Sequence, residues 1–334
     1  MRPPEALKGS EKQFQLYCQK IIDLCNYNID NEDVKTELSI LSKVKHDNII
    51  KLIKYEITPE FKVSYLMELC FCSLENLRTI YDKKKFLRKR IEVQTCFAIS
   101  SQILAGLNYL HNLPKKIIHL DIKDSNILIT KDGIVKIIDF GLAVELNDSN
   151  FFEGEMRGSD EYTSPENRKK NKTSTPSDIW SFGILLYEMM FGVLPKPTRE
   201  SFDRRFDEIL EKMNFNNIQK KTYKLLFNKI FSIEPNDRIT ATKLLELDLF
   251  KINLPTSKKI ILNELKLLEI LNDKVIVFKN QLKSEGCLAN LDIEDESDSD
   301  SENESDLDSD NNSDSENNSD SENNSDSENN SSSE

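Results

Sequence analysis

The carboxyl-terminal 43 residues set the first limit on what this chain can fold into. From Asp292 to Glu334 the sequence holds 18 acidic residues and no Lys or Arg. From Asn311 it repeats Asn-Asn-Ser-Asp-Ser-Glu with a period of six. A segment this polar buries too little apolar surface to offset the conformational entropy lost on folding. We therefore predict a disordered acidic tail over residues 292–334, and a folded part within the 291 residues before it.

Removing this tail changes the electrostatic character of the chain. The whole sequence carries a formal net charge of −13, but residues 1–291 hold 40 acidic and 45 basic residues, a net charge of +5. The hydrophobic content is 38% even with the tail included, so the rest of the chain has an ordinary globular composition. There is no basic stripe with interleaved aromatic residues, so we expect no nucleic-acid partner.

Nothing in the sequence is typical of a secreted or membrane protein, and we expect no membrane partner. Residues 1–4 open without an apolar signal core, and Arg2 excludes the glycine needed for N-myristoylation. The most apolar run, 179–194, contains Glu188 and is too short for a bilayer span, which favours a buried helix. The six cysteines form no C-x-x-C pair. They indicate reduced thiols and an intracellular, cytoplasmic location, with the nucleus left open.

Hydrophobic periodicity predicts a small strand-rich part followed by a larger helical part. Val34, Leu38, Leu41 and Val44, for example, recur at the spacing of one helix face. This order of elements predicts an α+β fold with two lobes. The predicted elements are a strand within 13–24, a helix at 30–44, strands at 49–57 and 62–67, a helix at 90–111, short β segments at 117–119, 126–130 and 134–139, and helices across 178–250.

Residues 253–291 form a separate helical segment in this scheme. Its apolar residues follow a 3, 4, 3, 4 spacing that fits either a short coiled coil or a helix packed on the body. Two heptads do not decide between them, so a partner bound through residues 260–282 stays one interpretation. The residues that carry the spacing are Leu268, Leu271, Val275, Phe278 and Leu282.

The densest chemical signal lies between residues 118 and 141. Asp121, Lys123 and Asn126 fall in one short loop, and Asp139 follows thirteen residues after Asn126. Phosphoryl transfer from Mg-ATP needs this set: a carboxylate to accept the hydroxyl proton, and a lysine to neutralise the moving phosphate. An amide oxygen and a second carboxylate, here Asn126 and Asp139, are suitable ligands for Mg²⁺.

These residues resemble the eukaryotic protein kinase family over about residues 3–252. The resemblance implies a bilobal kinase fold with a truncated β-rich N-lobe at about 1–69 and a mainly helical C-lobe at about 73–252, within a domain at 1–252. It also implies transfer of the γ-phosphate of Mg-ATP to Ser or Thr hydroxyls of proteins. Five motifs carry it: His119–Asn126 is similar to the catalytic loop, Asp139-Phe140-Gly141 to Asp-Phe-Gly, Ser164-Pro165-Glu166 to Ala-Pro-Glu, Asp178–Gly183 to the start of the buried C-lobe helix, and Arg238 to the partner of Glu166.

The resemblance also assigns the nucleotide-binding residues of the N-lobe. Glu37 resembles the helix glutamate that orients the ATP-binding lysine, and Lys20, rather than Lys12, fills the place of that lysine. Cys18 and Leu128 would then contact the two faces of the adenine. Met67 would be the gatekeeper residue, and Glu68 and Cys70 would offer hinge backbone groups to the adenine edge.

The family's Gly-x-Gly-x-x-Gly loop has no counterpart before Lys20. Gly9 is the only glycine before Gly106, so we expect the first strand and the phosphate-covering loop to be missing. Two explanations stay open: a sequence that is truncated relative to a full kinase, or a weak or inactive pseudokinase that acts as a scaffold. The loop matters because positioning of the phosphates is most of the catalysis in this reaction.

Three further positions bear on specificity and regulation. Leu120 replaces the usual Arg of the catalytic loop and cannot pair with a phosphate, so loop phosphorylation should matter less as a switch. Asp124 replaces the usual Pro, and we interpret it as a solvated loop residue rather than a substrate contact. Lys123 and Ser159 are similar to the residues of Ser/Thr kinases, in which a hydroxyl at the position of Ser159 contacts the catalytic Asp and Lys.

Overall fold

The computed structural model describes residues 17–23, 31–57, 62–83, 91–147, 149–192 and 199–266. The chain divides into two compact units, Met1–Val277 and Phe278–Glu334, and every described residue belongs to the first unit. The predicted acidic tail lies outside the described residues. So do Lys12 and the segment in which the glycine-rich loop was sought.

An antiparallel sheet and one helix form the amino-terminal lobe. The sheet consists of β1 (Tyr17–Asp23), β2 (Leu52–Ile57) and β3 (Lys62–Glu68) in the order β1-β3-β2, and Lys20 lies opposite Tyr65. Helix α1 (Asn31–Lys43) connects β1 to the rest of the sheet in sequence, as its apolar spacing predicted. Val34 on α1 is buried against Val63 and Tyr65 of β3.

The predicted second strand begins three residues later than expected. Ile49 and Ile50 do not belong to β2, because their backbone bonds to the C-lobe: Ile50 N–H donates to Ile137 O at 3.0 Å. Ile137 N–H in turn donates to Asn48 O at 2.9 Å. The Asn48 side chain is buried and donates to Gln102 Oε1 at 2.8 Å. This segment therefore joins the two lobes instead of extending the sheet.

The C-lobe is built around two buried helices. Each is buried around nearly its whole circumference, which is typical of a helix in the centre of a large core. The elements are β4 (Cys72–Ser73), α2 (Leu74–Lys83), α3 (Val93–His111), β5 (Ile117–Ile118), β6 (Ile127–Ile129), β7 (Val135–Ile137), β8 (Val144–Glu145), β9 (Phe152–Glu153), α4 (Pro165–Lys170), β10 (Lys172–Thr173), α5 (Thr175–Phe191), α6 (Arg199–Lys212), α7 (Asn217–Ile230), α8 (Ala241–Glu246) and α9 (Asp248–Lys251), of which α3 and α5 are the two central helices.

Helix α5 confirms the prediction of a buried helix within residues 179–194. It begins with a capping box between Ser174 and Ser177, and it ends at Gly192, whose φ of 72° suits a left-handed C-terminal cap. Tyr187 and Phe191 on α5 contact Phe206 and other rings of the core. Among the described residues, no helix is both long enough and apolar enough to cross a membrane.

The start of the segment after the kinase-like body packs on that body. Residues 257–266 are helical, and Ile261 and Leu265 are buried in the main core. Thr95 Oγ1 on α3 donates to Glu264 Oε2 at 3.2 Å. Residues 257–266 therefore pack on the body. The residues that carry the 3, 4, 3, 4 spacing, from Leu268 onward, lie outside the described part of the chain, so the choice between a coiled coil and a packed helix stays open.

Candidate active site

The catalytic loop is shaped by an acid from the centre of the C-lobe. Asp178 on α5 is fully buried, and its two oxygens accept hydrogen bonds from the backbone N–H groups of His119 (2.9 Å) and Leu120 (2.8 Å). Nε2 of His111 lies 2.8 Å from the Oδ2 atom of Asp178. Asp178 does not cap α5, whose N-cap is Ser174, and its side chain instead binds the catalytic loop.

Asp121 has hydrogen-bond donors on both carboxylate oxygens. Oδ1 accepts from Ser159 Oγ at 2.8 Å and from Ser159 N at 3.2 Å. Oδ2 lies 2.9 Å from Lys123 Nζ and accepts from Asn126 Nδ2 at 2.7 Å. Lys123 Nζ also donates to Ser159 Oγ at 2.9 Å. The structure thus brings together the three predicted loop residues and the serine that the resemblance had singled out.

These donors decide the charge of Asp121. Burial by itself would raise the pKa of this carboxyl, but the hydrogen bonds from Lys123 and Ser159 and the charge of Lys123 outweigh burial. The pKa of Asp121 therefore lies below its ordinary value. The Asp121 side chain is therefore a charged carboxylate at neutral pH, and its hydrogen bonds hold it in one orientation.

Lys20 extends from β1 toward two acids. Its Nζ lies 3.3 Å from Glu37 Oε1 on α1 and 3.5 Å from Asp139 Oδ1. The pKa of Glu37 lies above its ordinary value. Burial is the main cause and the charge of Asp139 adds to it, whereas Lys20 acts in the opposite direction. The structure therefore pairs Lys20 with the predicted glutamate and places it near the predicted metal ligand, whereas Lys12 lies outside the described residues.

A cleft of about 350 Å³ lies between the lobes. Cys18 from β1 and Leu128 from β6 line it from the two lobes, and Met67 and Cys70 also line it. The carboxylate of Glu68 is turned to other partners, with Oε1 2.7 Å from Lys136 Nζ and 2.8 Å from Lys51 N. Every nucleotide-binding residue expected from the sequence therefore borders this cleft. The described cysteines in and near it, Cys18, Cys70 and Cys72, are free thiols.

The two predicted metal ligands, Asn126 and Asp139, both offer hard oxygen atoms, and Asp139 lines this cleft. Asn126 uses its Nδ2 for the O and Oδ2 atoms of Asp121, so its Oδ1 is the atom available to a cation. Asp139 has a φ of 64° and a carboxylate that is 44% exposed. In the described residues no cluster of three or more His, Cys, Asp or Glu could hold a metal ion. The pair fits Mg²⁺ bound together with nucleotide phosphates, which supply the remaining ligands.

Leu120 anchors the activation segment by apolar contact. Its side chain is 6% exposed and packs in a cluster with Ile118 and Leu146, against which Phe152 also packs. The carbonyl oxygen of Leu120 is close to Gly158, where an added Cβ would lie 2.3 Å from it. The position that usually holds a phosphate-pairing Arg is thus part of a hydrophobic contact between the catalytic loop and the activation segment.

The end of the activation segment is fixed by a buried ion pair. Arg238 donates to both oxygens of Glu166, at 2.7 and 3.0 Å, and also to the carbonyl oxygen of Pro176 at 2.8 Å. Its guanidinium lies 5.0 Å from the Trp180 ring. The Glu166 pKa would be raised by burial, but Arg238 lowers it below its ordinary value. Glu166 and Arg238 therefore form a buried ion pair, as the resemblance implied for these two residues.

One group of residues was missed by the sequence interpretation. Asp124 is not solvated, because Arg78 on α2 pairs with its carboxylate, which is only 17% exposed. The same arginine reaches Glu188 on α5 with its other terminal nitrogen, at 2.5 Å. No spacing rule connects these three residues, and the single available signal was an extra acid at position 124.

The fold and the site define a bilobal protein kinase of the α+β class. The match to the family model for the protein kinase domain covers residues 6–250. The chain therefore belongs to the protein kinase family. The three relatives described next are named as serine/threonine-protein kinases or probable ones.

Three relatives illustrate the similarity. A probable serine/threonine-protein kinase of Dictyostelium discoideum is 31% identical over 220 residues, 66% of this chain and 42% of the relative. The serine/threonine-protein kinase TIO of Arabidopsis thaliana is 28% identical over 65% of this chain and 16% of the relative. The serine/threonine-protein kinase par-4 of Caenorhabditis elegans is 33% identical over 49% of this chain and 26% of the relative. The chain spans less than half the length of each of these relatives.

Proposed function

We propose that this protein transfers the γ-phosphate of ATP, bound with Mg²⁺, to Ser or Thr hydroxyls of protein substrates. The observation that carries the proposal is the environment of Asp121. Its carboxylate is charged and is oriented by Lys123, Ser159 and Asn126. A cleft of a size suited to a nucleotide is lined by Lys20, Leu128 and Asp139. Family membership supports the same reaction class.

In this proposal each residue of the chain has a defined task. Asp121 accepts the proton of the attacking hydroxyl, and Lys123 places positive charge beside the transferred phosphoryl group. Lys20, oriented by Glu37, contacts the phosphates of the bound nucleotide. Asn126 and Asp139 hold the metal ion. When bound, Mg-ATP supplies the phosphoryl group and the charge that neutralises the ADP leaving group.

The hydrophobic walls of the cleft fit the adenine. Cys18 and Leu128 lie on its two sides, and the backbone near Glu68 and Cys70 is the edge at which a purine would be hydrogen-bonded. The proposal includes a protein partner that presents a Ser or Thr, and a cytoplasmic or nuclear location. Free thiols at Cys18, Cys70, Cys72 and Cys96 agree with a reducing compartment.

Substitution of the proposed base tests the function directly. Asp121→Asn keeps the size of the side chain but removes the charge that accepts the proton. We expect incorporation of γ-phosphate into a generic Ser/Thr protein substrate to fall at least about 100-fold, while the variant still folds and melts in one cooperative transition.

Asp132→Asn is the matched control, because Asp132 is an exposed acid in the turn between β6 and β7. It should retain full activity. Equal rates for Asp121→Asn and the unmodified chain would overturn the role of Asp121. Lack of incorporation by the unmodified chain, with Mg-ATP and several protein substrates, would overturn the proposed activity itself.

A further inference from the structure

Tyr65 of β3 is a fully buried residue beside the pair of Lys20 and Glu37. It lies opposite Lys20 in the register of β1 and β3, and Lys20 Nζ is 5.7 Å from the centre of its ring. It also packs in one hydrophobic cluster with Val34 of α1, the helix that carries Glu37. Tyr65 therefore contacts both of the elements from which the pair is built.

The hydroxyl group of Tyr65 is not explained by packing. It is buried, and among the described residues it makes no hydrogen bond of ordinary geometry. Burial of a hydroxyl without a partner costs folding free energy. A phenylalanine would fill the same space without this cost, because the ring is the part that packs. A tyrosine at this position therefore points to another task for the hydroxyl.

The carboxylate of Glu37 is the group with which this hydroxyl interacts. The hydroxyl acts to lower the pKa of Glu37, although burial keeps that pKa above its ordinary value. Burial raises the pKa of Tyr65, and the charge of Glu37 raises it further. The carboxylate thus favours a phenol that stays protonated, and a protonated phenol is a hydrogen-bond donor. Tyr65 is therefore a donor held next to Glu37.

Glu37 needs a second donor because its contact with Lys20 is long and shared. Lys20 Nζ lies 3.3 Å from Glu37 Oε1 and 3.5 Å from Asp139 Oδ1. Both distances exceed the about 2.7–2.9 Å of a strong charge-assisted hydrogen bond. The Glu37 side chain is 5% exposed, and a buried carboxylate is costly when its cation turns elsewhere. In the proposed reaction Lys20 contacts the nucleotide phosphates, so Glu37 then depends on another donor.

We propose that Tyr65 is a positioning residue of the nucleotide site. Its ring supports the ammonium group of Lys20 through a cation–π contact. Its hydroxyl donates to Glu37 when Lys20 is engaged with the nucleotide, and so keeps Glu37 in the orientation that holds Lys20 at the cleft. This inference rests on the proposed kinase activity, and it adds to the same site a residue that no sequence motif marks.

Tyr65→Phe in the full chain tests the hydroxyl, because it keeps the ring. We expect the KM for ATP, and the dissociation constant of Mg-ATP from isothermal titration calorimetry, to rise about fivefold, as for the loss of one hydrogen bond. The value of kcat should change less than about twofold. Without nucleotide the variant should melt at the same temperature or higher, because an unpaired hydroxyl has left the core. A hydroxyl with only a structural role predicts the reverse: a lower melting temperature and an unchanged KM.

A double-mutant cycle tests whether the hydroxyl acts through Glu37. Glu37→Met removes the acceptor and keeps a side chain of similar length. In this background Tyr65→Phe should change the dissociation constant of Mg-ATP by less than about twofold, because both substitutions remove the same contact. A fivefold effect of Tyr65→Phe in both backgrounds would show that the hydroxyl does not act through Glu37, and the proposal would fail.

Tyr55→Phe is the matched control, because Tyr55 of β2 lies opposite Tyr65 in the sheet register but is 49% exposed. It should leave the KM and the melting temperature unchanged. An active chain in which Tyr65→Phe alters neither KM nor Mg-ATP affinity would overturn the role of Tyr65 and leave the kinase activity intact. A chain that binds Mg-ATP with the expected dependence on Tyr65 but phosphorylates no protein would contradict the kinase activity and support the role of Tyr65. Absence of Mg-ATP binding by the unmodified chain would overturn both.

Discussion

The N–H group of Leu120 donates to the buried Oδ1 atom of Asp178 at 2.8 Å while Leu120 itself has a φ of 65°. A branched side chain rarely adopts this left-handed conformation, which costs about 1 kcal/mol or more. The hydrogen bond from a fully buried acid, together with the apolar contacts of the Leu120 side chain, holds it there. The loop that carries Asp121 thus depends on a residue of α5 that is 57 positions further along the chain.

Substitution of Asp178 by Asn should therefore destabilise the protein and misplace the loop. One carboxylate oxygen becomes an NH₂ group that faces backbone N–H donors, so at least one hydrogen bond is lost. We expect a loss of about 2 kcal/mol, seen as a melting temperature roughly 5 °C lower, and reduced phosphotransfer. The matched control is Asp207→Asn, an exposed partner of Lys224, which should change the melting temperature by less than about 2 °C.

Gly158 should not tolerate a side chain. Its φ is 98°, and a Cβ atom would lie 2.3 Å from the Leu120 carbonyl oxygen. Gly158→Ala must shift Ser159 away from Asp121, so we expect about 2–4 kcal/mol of destabilisation and strongly reduced phosphotransfer. Gly192→Ala shares the positive φ, at 72°, but meets no atom within 4 Å. Urea denaturation should show a smaller loss of about 1 kcal/mol for it, with activity retained.

The pair between Glu166 and Arg238 should make stability depend on pH in the acidic range. Because the folded-state pKa of Glu166 lies below its ordinary value of 4.5, the pair contributes fully above that pH and less as the pH falls through the folded pKa. Glu166→Gln leaves Arg238 buried without its counter-charge and should cost about 3–5 kcal/mol at pH 7. The difference between the two proteins should shrink below pH 4.5 in urea titrations.

The control for this pair is Glu153→Gln, which removes one partner of the exposed pair with Lys172. Exposed pairs contribute little, so its effect should stay below about 1 kcal/mol at every pH. A Glu166→Gln effect that is equally small would mean that the buried pair is not a structural requirement.

Nucleotide binding should require the metal. ATP with Mg²⁺ at about ten times its dissociation constant should stabilise the native state by about 1.4 kcal/mol, a rise in melting temperature of about 3 °C. ATP with EDTA should give little or no rise, because Asp139 would then face the triphosphate without a compensating charge. Asp139→Asn should reduce the Mg²⁺-dependent part. A rise that is independent of Mg²⁺ would contradict the role given to Asp139.

The local features of this protein could be predicted from the sequence. Helix α1 follows from apolar spacing, since a helix face is fixed by residues three and four apart. The buried helix α5 follows from an apolar run that is too short for a bilayer span. Asp121, Lys123 and Asn126 lie within six residues, so one short loop holds them whatever the rest of the chain does. Lys20 and Glu37 required the resemblance as well, because their contact connects two separate elements.

The remaining contacts depended on the tertiary structure. Arg78 pairs with Asp124 and Glu188, and Asp178 reaches Leu120, across separations of 46 to 110 residues. Opposite charge alone does not select such partners in a sequence with 45 basic and 58 acidic side chains. Packing selects the partners, because burial of the C-lobe core brings α2, the catalytic loop and α5 together. Once these charged side chains are buried, leaving one of them unpaired would cost several kcal/mol of folding free energy, about 3–5 kcal/mol for a buried ion pair.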